Sequence, residues 1–143
     1  MDTPQENFLK KIKRLYLLMN RHIEEELKIY GLARSQFQVL YFTNKKEKLT
    51  QKALQQLMQV EPATLTGIID GLVKKGLLER IESKTDKRSN IIWLTHEGKK
   101  IQKKIPPLHE VIEATMFQNI SENDKNKVMI IIEQAIQNLD EDN

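Results

Sequence analysis

Residues 61–94 read EPATLTGIIDGLVKKGLLERIESKTDKRSNIIWL, and their pattern decides how this chain folds. Leu65, Ile68, Ile69, Leu72 and Val73 recur at helical spacing, and Pro62 suits the first position of a helix. The helix should stop at Lys74-Lys75-Gly76, because Gly76 can take the left-handed conformation that ends helices. Leu78 to Ser83 then predicts a strand, Lys84-Thr85-Asp86-Lys87-Arg88 a charged turn, and Asn90 to Leu94 the return strand. Between its core positions the helix carries Ala63, Thr64, Thr66, Gly67 and Asp70, a small and polar outer face. Such a helix, beside a ribbon tipped with cations, suits a groove of double-stranded DNA and its flanking phosphates.

Upstream, Thr50 is placed to cap a short third helix in which Ala53, Leu54, Leu57 and Met58 face inward. Val60-Glu61-Pro62 makes the turn into the fourth, so the two form a helix-turn-helix and the two strands its wing. Ahead of them lies a long helix over residues 5–30, with Phe8, Ile12, Leu15, Met19, Ile23, Leu27 and Tyr30 as its stripe and Gly31 as its stop. Arg34 to Thr43 is apolar nearly all round through Phe37, Val39, Leu40, Tyr41 and Phe42. It is expected to be the central core helix, with Ser35 near its start as the cap.

Downstream, Thr95 should cap a helix beginning His96-Glu97-Gly98, which Pro106 and Pro107 must kink or break. Leu108, Ile112 and Met116 continue the apolar face. Ser121 caps a final helix striped by Val128, Ile131, Ile132, Ala135, Ile136 and Leu139, and Asp140 to Asn143 should fray. The expected fold is mostly α with a small β wing. It comprises an N-terminal dimerisation helix (1–33), a winged helix-turn-helix module (34–98) and C-terminal dimerisation helices (99–143), in one integrated domain. Two long amphipathic segments flank a module that already buries its own core. Their spare apolar surface is best satisfied by a second copy, giving a homodimer that presents two modules to a near-palindromic site.

Charge follows the same division. Residues 45–104 hold 14 of the 23 Lys and Arg against 7 acidic residues, whereas residues 105–143 hold 2 against 8. A basic middle and an acidic tail fit a polyanion-binding module beside a segment kept off the polyanion. With no cysteine in 143 residues there is no disulfide framework, thiolate metal site or thiol switch. The acidic, polar start lacks the pattern of a secretory signal, and no apolar run approaches the roughly 20 residues a bilayer demands. The expected location is cytoplasmic, with no membrane partner. Neither a nucleophile elbow nor a phosphate loop is present, so no enzyme activity is expected.

Three blocks carry a resemblance: Gly76-Leu77-Leu78-Glu79-Arg80, Asp86-Lys87-Arg88, and Leu94-Thr95-His96-Glu97-Gly98. In this order and spacing the chain resembles the MarR family of bacterial winged-helix regulators over essentially its whole length. The resemblance implies a homodimeric transcriptional regulator, a repressor more often than not, that binds operator DNA and is released by a small-molecule effector. It implies that Arg88 enters the minor groove, held in orientation by Asp86, while the fourth helix lies in the major groove. The DNA-facing set is then Thr50, Gln51, Ala63, Thr64, Thr66, Gly67, Asp70, Lys74, Arg80, Lys84, Asp86, Lys87 and Arg88. The family often carries arginine and another basic or polar residue where this chain has Gly67 and Gly71, so its commonest base-reading side chains are missing here.

Two alternatives stay open. One is a metal-responsive regulator of the same fold: His22, His96 and His109 are the only imidazoles, and His109 with Glu113 could share a helix face. With no paired histidine and no cysteine, a solvated His109 is preferred and no metal or cofactor is assigned. The other is a winged helix that binds protein. Tyr16, Met19, Phe37 and Tyr41 could line an effector crevice, but core packing is the preferred account of each, and the effector-binding residues are unknown.

Overall fold

The computed structural model describes the backbone of residues 4–140 and the side chains of residues 7–140. In chain order the elements are α1 (Pro4–Lys28), α2 (Arg34–Lys46), β1 (Leu49–Thr50), α3 (Gln51–Met58), α4 (Pro62–Lys74), β2 (Leu78–Ile81), β3 (Ile91–Leu94), α5 (His96–Lys104), α6 (Leu108–Met116) and α7 (Glu122–Leu139). They fall into two compact units, the first ending at Leu108 and the second beginning at His109.

In the first unit the fourth-helix pattern buries as expected. Leu65, Ile69 and Leu72 are fully inside, with Ile68 and Val73 packed against them. They meet Val39 and Leu40 of α2, Leu54 of α3 and Leu27 of α1 in one apolar cluster. β2 and β3 pair antiparallel with Leu78 opposite Leu94 and Ile81 opposite Ile91, and alternation turns Leu78, Ile92 and Leu94 inward. The strands are shorter than the sequence suggested, because Ser83 and Asn90 leave the ladder and bond through a side chain instead.

Several local expectations are corrected. The sheet has three strands, not two: Leu49 and Thr50 pair with β3, in the order β1-β3-β2. Two residues are too short for any periodic signal. Ser35 is not the cap of α2. The cap position is Ala33, and the Gln36 side chain reaches back to accept from the Ala33 N–H at 3.1 Å. Leu57 is 44% exposed, not inward, because α3 turns Gln51, Leu54 and Met58 toward the core and leaves Leu57 on the rim. Asp140 is tied to α7, its N–H donating to the Ile136 carbonyl at 2.9 Å, and residues 141–143 lie outside the described ones.

The stripe of α1 splits. Leu27 is fully buried and Ile23 and Tyr30 pack on the core, whereas Phe8, Ile12, Leu15 and Tyr16 are exposed, so Tyr16 is not a core residue of this chain. In the second unit Ser121 caps α7 by accepting from the Asp124 N–H at 3.0 Å, and Lys125 joins Glu113 at 3.3 Å. The remaining face of α7 is open: Ile131 is 66% exposed and Leu139 88%. Pro106 and Pro107 break the helix outright, since α5 ends at Lys104 and α6 starts at Leu108. Among the described residues no helix is long and apolar enough to cross a membrane.

One junction closes the winged module. Gly76 ends the α4 region at φ +76°, and its carbonyl accepts from the Thr95 hydroxyl at 2.6 Å. The same hydroxyl accepts from the Gly98 N–H at 3.0 Å, capping α5. A Cβ on Gly98 would lie 2.2 Å from the Leu77 carbonyl oxygen, a backbone atom that cannot step aside, whereas a Cβ on Gly67 would meet nothing within 4 Å. Gly98→Ala is therefore expected to destabilise the protein by about 3 kcal/mol. Gly67→Ala should stabilise it by up to about 1 kcal/mol through helix propensity. Denaturant midpoints of the two variants read the contrast, and midpoints shifted in the same direction would refute the junction.

Candidate nucleic-acid interface

Within the first unit, α4 and the β2–β3 ribbon stand side by side, and most of the sequence-selected residues lie on their outer surface. Ala63, Thr64, Gly67, Asp70 and Lys74 are exposed along α4, and Lys84, Asp86, Lys87 and Arg88 are exposed at the ribbon tip. Thr50 is exposed at the start of α3, where its hydroxyl accepts from the Ala53 N–H at 3.1 Å. The α4 face is low: Gly67 opens onto space, and Gly71 is approached only by the Gln36 amide, 3.5 Å from where its Cβ would be.

The ribbon tip is shaped by a short 3₁₀ turn, Lys87–Ser89, with Asp86 as its cap. The Asp86 carboxylate accepts from the Arg88 backbone N–H at 2.9 Å. Asp86 thus holds the backbone from which Arg88 projects, and among the described residues no ion pair joins it to the guanidinium. A carboxylate two residues ahead of an N–H is within easy reach of it, and the Arg88 side chain is exposed. Among the described residues Arg88 enters no ion pair.

Four more of the expected contact residues, Gln51, Thr66, Asp70 and Arg80, have their polar groups engaged within the fold. Gln51 is buried, its amide donating to the Thr66 hydroxyl at 3.1 Å, and that hydroxyl donates to the Pro62 carbonyl at 3.1 Å. Arg80 reaches from β2 to Asp70 on α4 and to Glu82 at 3.1 Å, one cation between two carboxylates. The Asp70 hydrogen bond is the main cause that raises the Arg80 pKa, with burial opposing it and the charges of Asp70 and Glu82 adding to it. Half-exposed pairs of this kind contribute at most about 1 kcal/mol, so their effect is mainly to neutralise Asp70 beside the α4 face. A polar cleft of about 160 Å³ lies here, lined by Gln51, Thr66, Asp70, Arg80, Lys87 and Asn90 among others.

Asn90 is a buried polar residue beside this interface that sequence reasoning passed over. It is buried, its Oδ1 accepting from the Ser83 N–H at 2.8 Å and its Nδ2 donating to Gln51 Oε1 at 3.5 Å. The signal was available. Asn90, Ile92 and Leu94 alternate onto one face of the strand, and a polar side chain at an inward position must find partners. Among the described residues no group of three His, Asp or Glu is placed to hold a metal ion. His109 faces only Glu110, at 4.0 Å.

Comparison with known proteins gives this geometry a lineage. A family model described as MarR family matches residues 30–89. The transcriptional repressor YetL of Bacillus subtilis is 32% identical over 110 residues, a stretch covering 76% of this chain and 66% of YetL. A mutant MarR of Escherichia coli, crystallised in complex with operator DNA, superposes with TM-score 0.79 at 22% identity, over 94% of this chain and 99% of that one. A MarR-like transcription regulator from Bacillus cereus gives 0.82 at 16% identity, over 95% and 98%. At such identities the two structures speak for the fold alone, and the matched module and the YetL similarity carry the kinship. The chain belongs to the MarR family of winged-helix transcriptional regulators.

Proposed function

We propose that this protein is a cytoplasmic, sequence-specific DNA-binding repressor that acts as a homodimer on a near-palindromic operator and is released by a small-molecule effector. The observation that carries it is the pairing, in one compact unit, of an open α4 face with a tip whose Lys84, Lys87 and Arg88 are all exposed. A cationic tip approaches phosphates with a favourable potential, and a helix face without bulk can enter a groove. The relatives supply the direction: one is named a repressor, and another was crystallised with operator DNA.

The uncovered apolar faces support self-association. Phe8, Leu9 and Ile12 on α1, and Ile130, Ile131 and Leu139 on α7, are exposed large apolar side chains, and clusters of these mark interaction sites. A second copy satisfies such faces symmetrically and sets two winged units at a fixed spacing. Phe37, half-buried with its ring centroid 6.2 Å from that of Tyr41, packs against the core as the sequence reading preferred, and the residues that would meet an effector stay unassigned.

Three outcomes are expected. Arg88→Ala lowers operator affinity by about 1–3 kcal/mol at fixed salt without changing the unfolding midpoint; equal binding by the two proteins would remove Arg88 from the interface. Lys84→Ala and Lys87→Ala each flatten the dependence of log affinity on log salt by about 0.9, read from titrations over a salt series. An unchanged slope would mean that the lysine touches no phosphate. Sedimentation at micromolar concentration shows a dimer that Ile131→Asp shifts toward monomer. A parent chain that sediments as a monomer, or that retains no fragment of a genomic DNA pool even at low salt, would leave the protein-binding winged helix in its place.

A further inference from the structure

The ribbon and α4 are joined by a chain of directional hydrogen bonds through two buried amides. From α4, the Thr66 hydroxyl donates to the Pro62 carbonyl and accepts from Gln51 Nε2 at 3.1 Å. Gln51 Oε1 accepts from Asn90 Nδ2 at 3.5 Å, and the Gln51 backbone N–H donates to the Asn90 carbonyl at 2.8 Å. Asn90 Oδ1 then accepts from the Ser83 N–H at 2.8 Å, pinning the two arms of the ribbon together at its root. Gln51 and Asn90 are 6% and 4% exposed, so solvent meets these groups only through the small polar cleft they line.

The order of donors and acceptors matters. If the Gln51 amide were turned over, its NH₂ would face the NH₂ of Asn90. If Asn90 were turned over, its NH₂ would face the Ser83 N–H. Each amide is therefore locked by the other, and the sequence of bonds fixes one separation between the first turn of α4 and the ribbon root. The 3₁₀ turn follows from that root, since the Asn90 N–H donates to the Lys87 carbonyl at 3.1 Å, and Arg88 stands two residues from Asn90.

On the strength of the DNA-binding function proposed above, we infer that Gln51 and Asn90 are positioning residues. They set the distance at which Arg88 enters one groove while α4 occupies the next, and so contribute to operator selection without touching DNA. Gln51 thereby moves from the contact set to the support beneath it. A ribbon free to swing would still meet phosphates through its lysines, but it would lose the single register that lets both elements engage together.

The test is a double-mutant cycle on an operator fragment selected by the parent chain, at a temperature where each variant is fully folded by circular dichroism. Asn90→Ala is expected to weaken binding about tenfold, the scale of coupling within one hydrogen-bonded network. In its background, Arg88→Ala should cost markedly less than in the parent, and the salt slope of Asn90→Ala should move toward that of Arg88→Ala. A merely less-folded protein would keep the parent slope and the full cost of Arg88→Ala. Should Asn90→Ala not fold, Asn90→Asp keeps the shape and the Ser83 bond while losing the donor to Gln51, and it should show the same non-additivity at a smaller loss. Additive costs with an unchanged slope, in a parent that binds DNA, overturn the positioning role alone. A parent that selects no fragment overturns the DNA-binding function on which it rests.

Discussion

The winged module depends on one close approach of backbone to backbone. At Gly98 the first turn of α5 lies so near the Leu77 carbonyl that no side chain fits between them. That approach brings the end of β3 back to the end of α4, where Thr95 closes the loop by donating to Gly76 and capping Gly98 with the same oxygen. The Thr95 N–H adds a third link by donating to the Leu77 carbonyl at 3.1 Å. Helix stop, ribbon and following helix are thus tied at a single point. The ribbon between them can reach outward because its two ends are held together, and its tip carries cations because nothing in the core constrains it.

What was legible in the sequence was what repeats or what caps. The α4 stripe, the Gly76 stop and the caps at Thr50, Thr95 and Ser121 each follow from local chemistry, and each is found where the residues place it. The missed features were decided by tertiary context. A two-residue strand at Leu49–Thr50 exists only because β3 lies alongside it. Leu57 is exposed while Gln51, a polar residue, is buried on the face of α3 that reaches Asn90 and Thr66. For the candidate interface the distribution of charge was readable and its internal pairing was not. Arg80 looks like a free cation in the sequence, yet in the fold it spans Asp70 and Glu82.

The apolar surface has a division of labour that the helix periods alone conceal. One amphipathic stripe on α1 is divided, with Leu27 sealing the core of its own unit while Phe8 and Ile12 are exposed among the described residues. On α7 nearly every large apolar residue is uncovered, although its first turn is capped and bonded to α6. Capped helices with apolar side chains left open are what the proposed self-association would cover. The acidic balance of that segment, 2 cations to 8 acidic residues over 105–143, also makes it a poor surface for a polyanion. Charge and hydrophobicity therefore separate the same two tasks along the chain.

The bare face of α4 places the weight of selectivity elsewhere. Gly67 opens to space and Gly71 offers only its backbone, so the side chains left to meet base edges are short ones such as Thr64. A hydroxyl or a methyl discriminates bases less sharply than a bidentate guanidinium does. The two glycines cost about 1 kcal/mol each in helix propensity, and the helix forms because Leu65, Ile69 and Leu72 are fully buried beneath them. With so little bulk, the helix can sit deep in a groove, and how deep depends on where the ribbon stops it. Under the proposed DNA-binding function, selectivity would pass to the spacing between α4 and Arg88 and to the groove width that this spacing accepts. On that proposal a rigid internal linkage, not an inventory of base contacts, is the element on which recognition would turn.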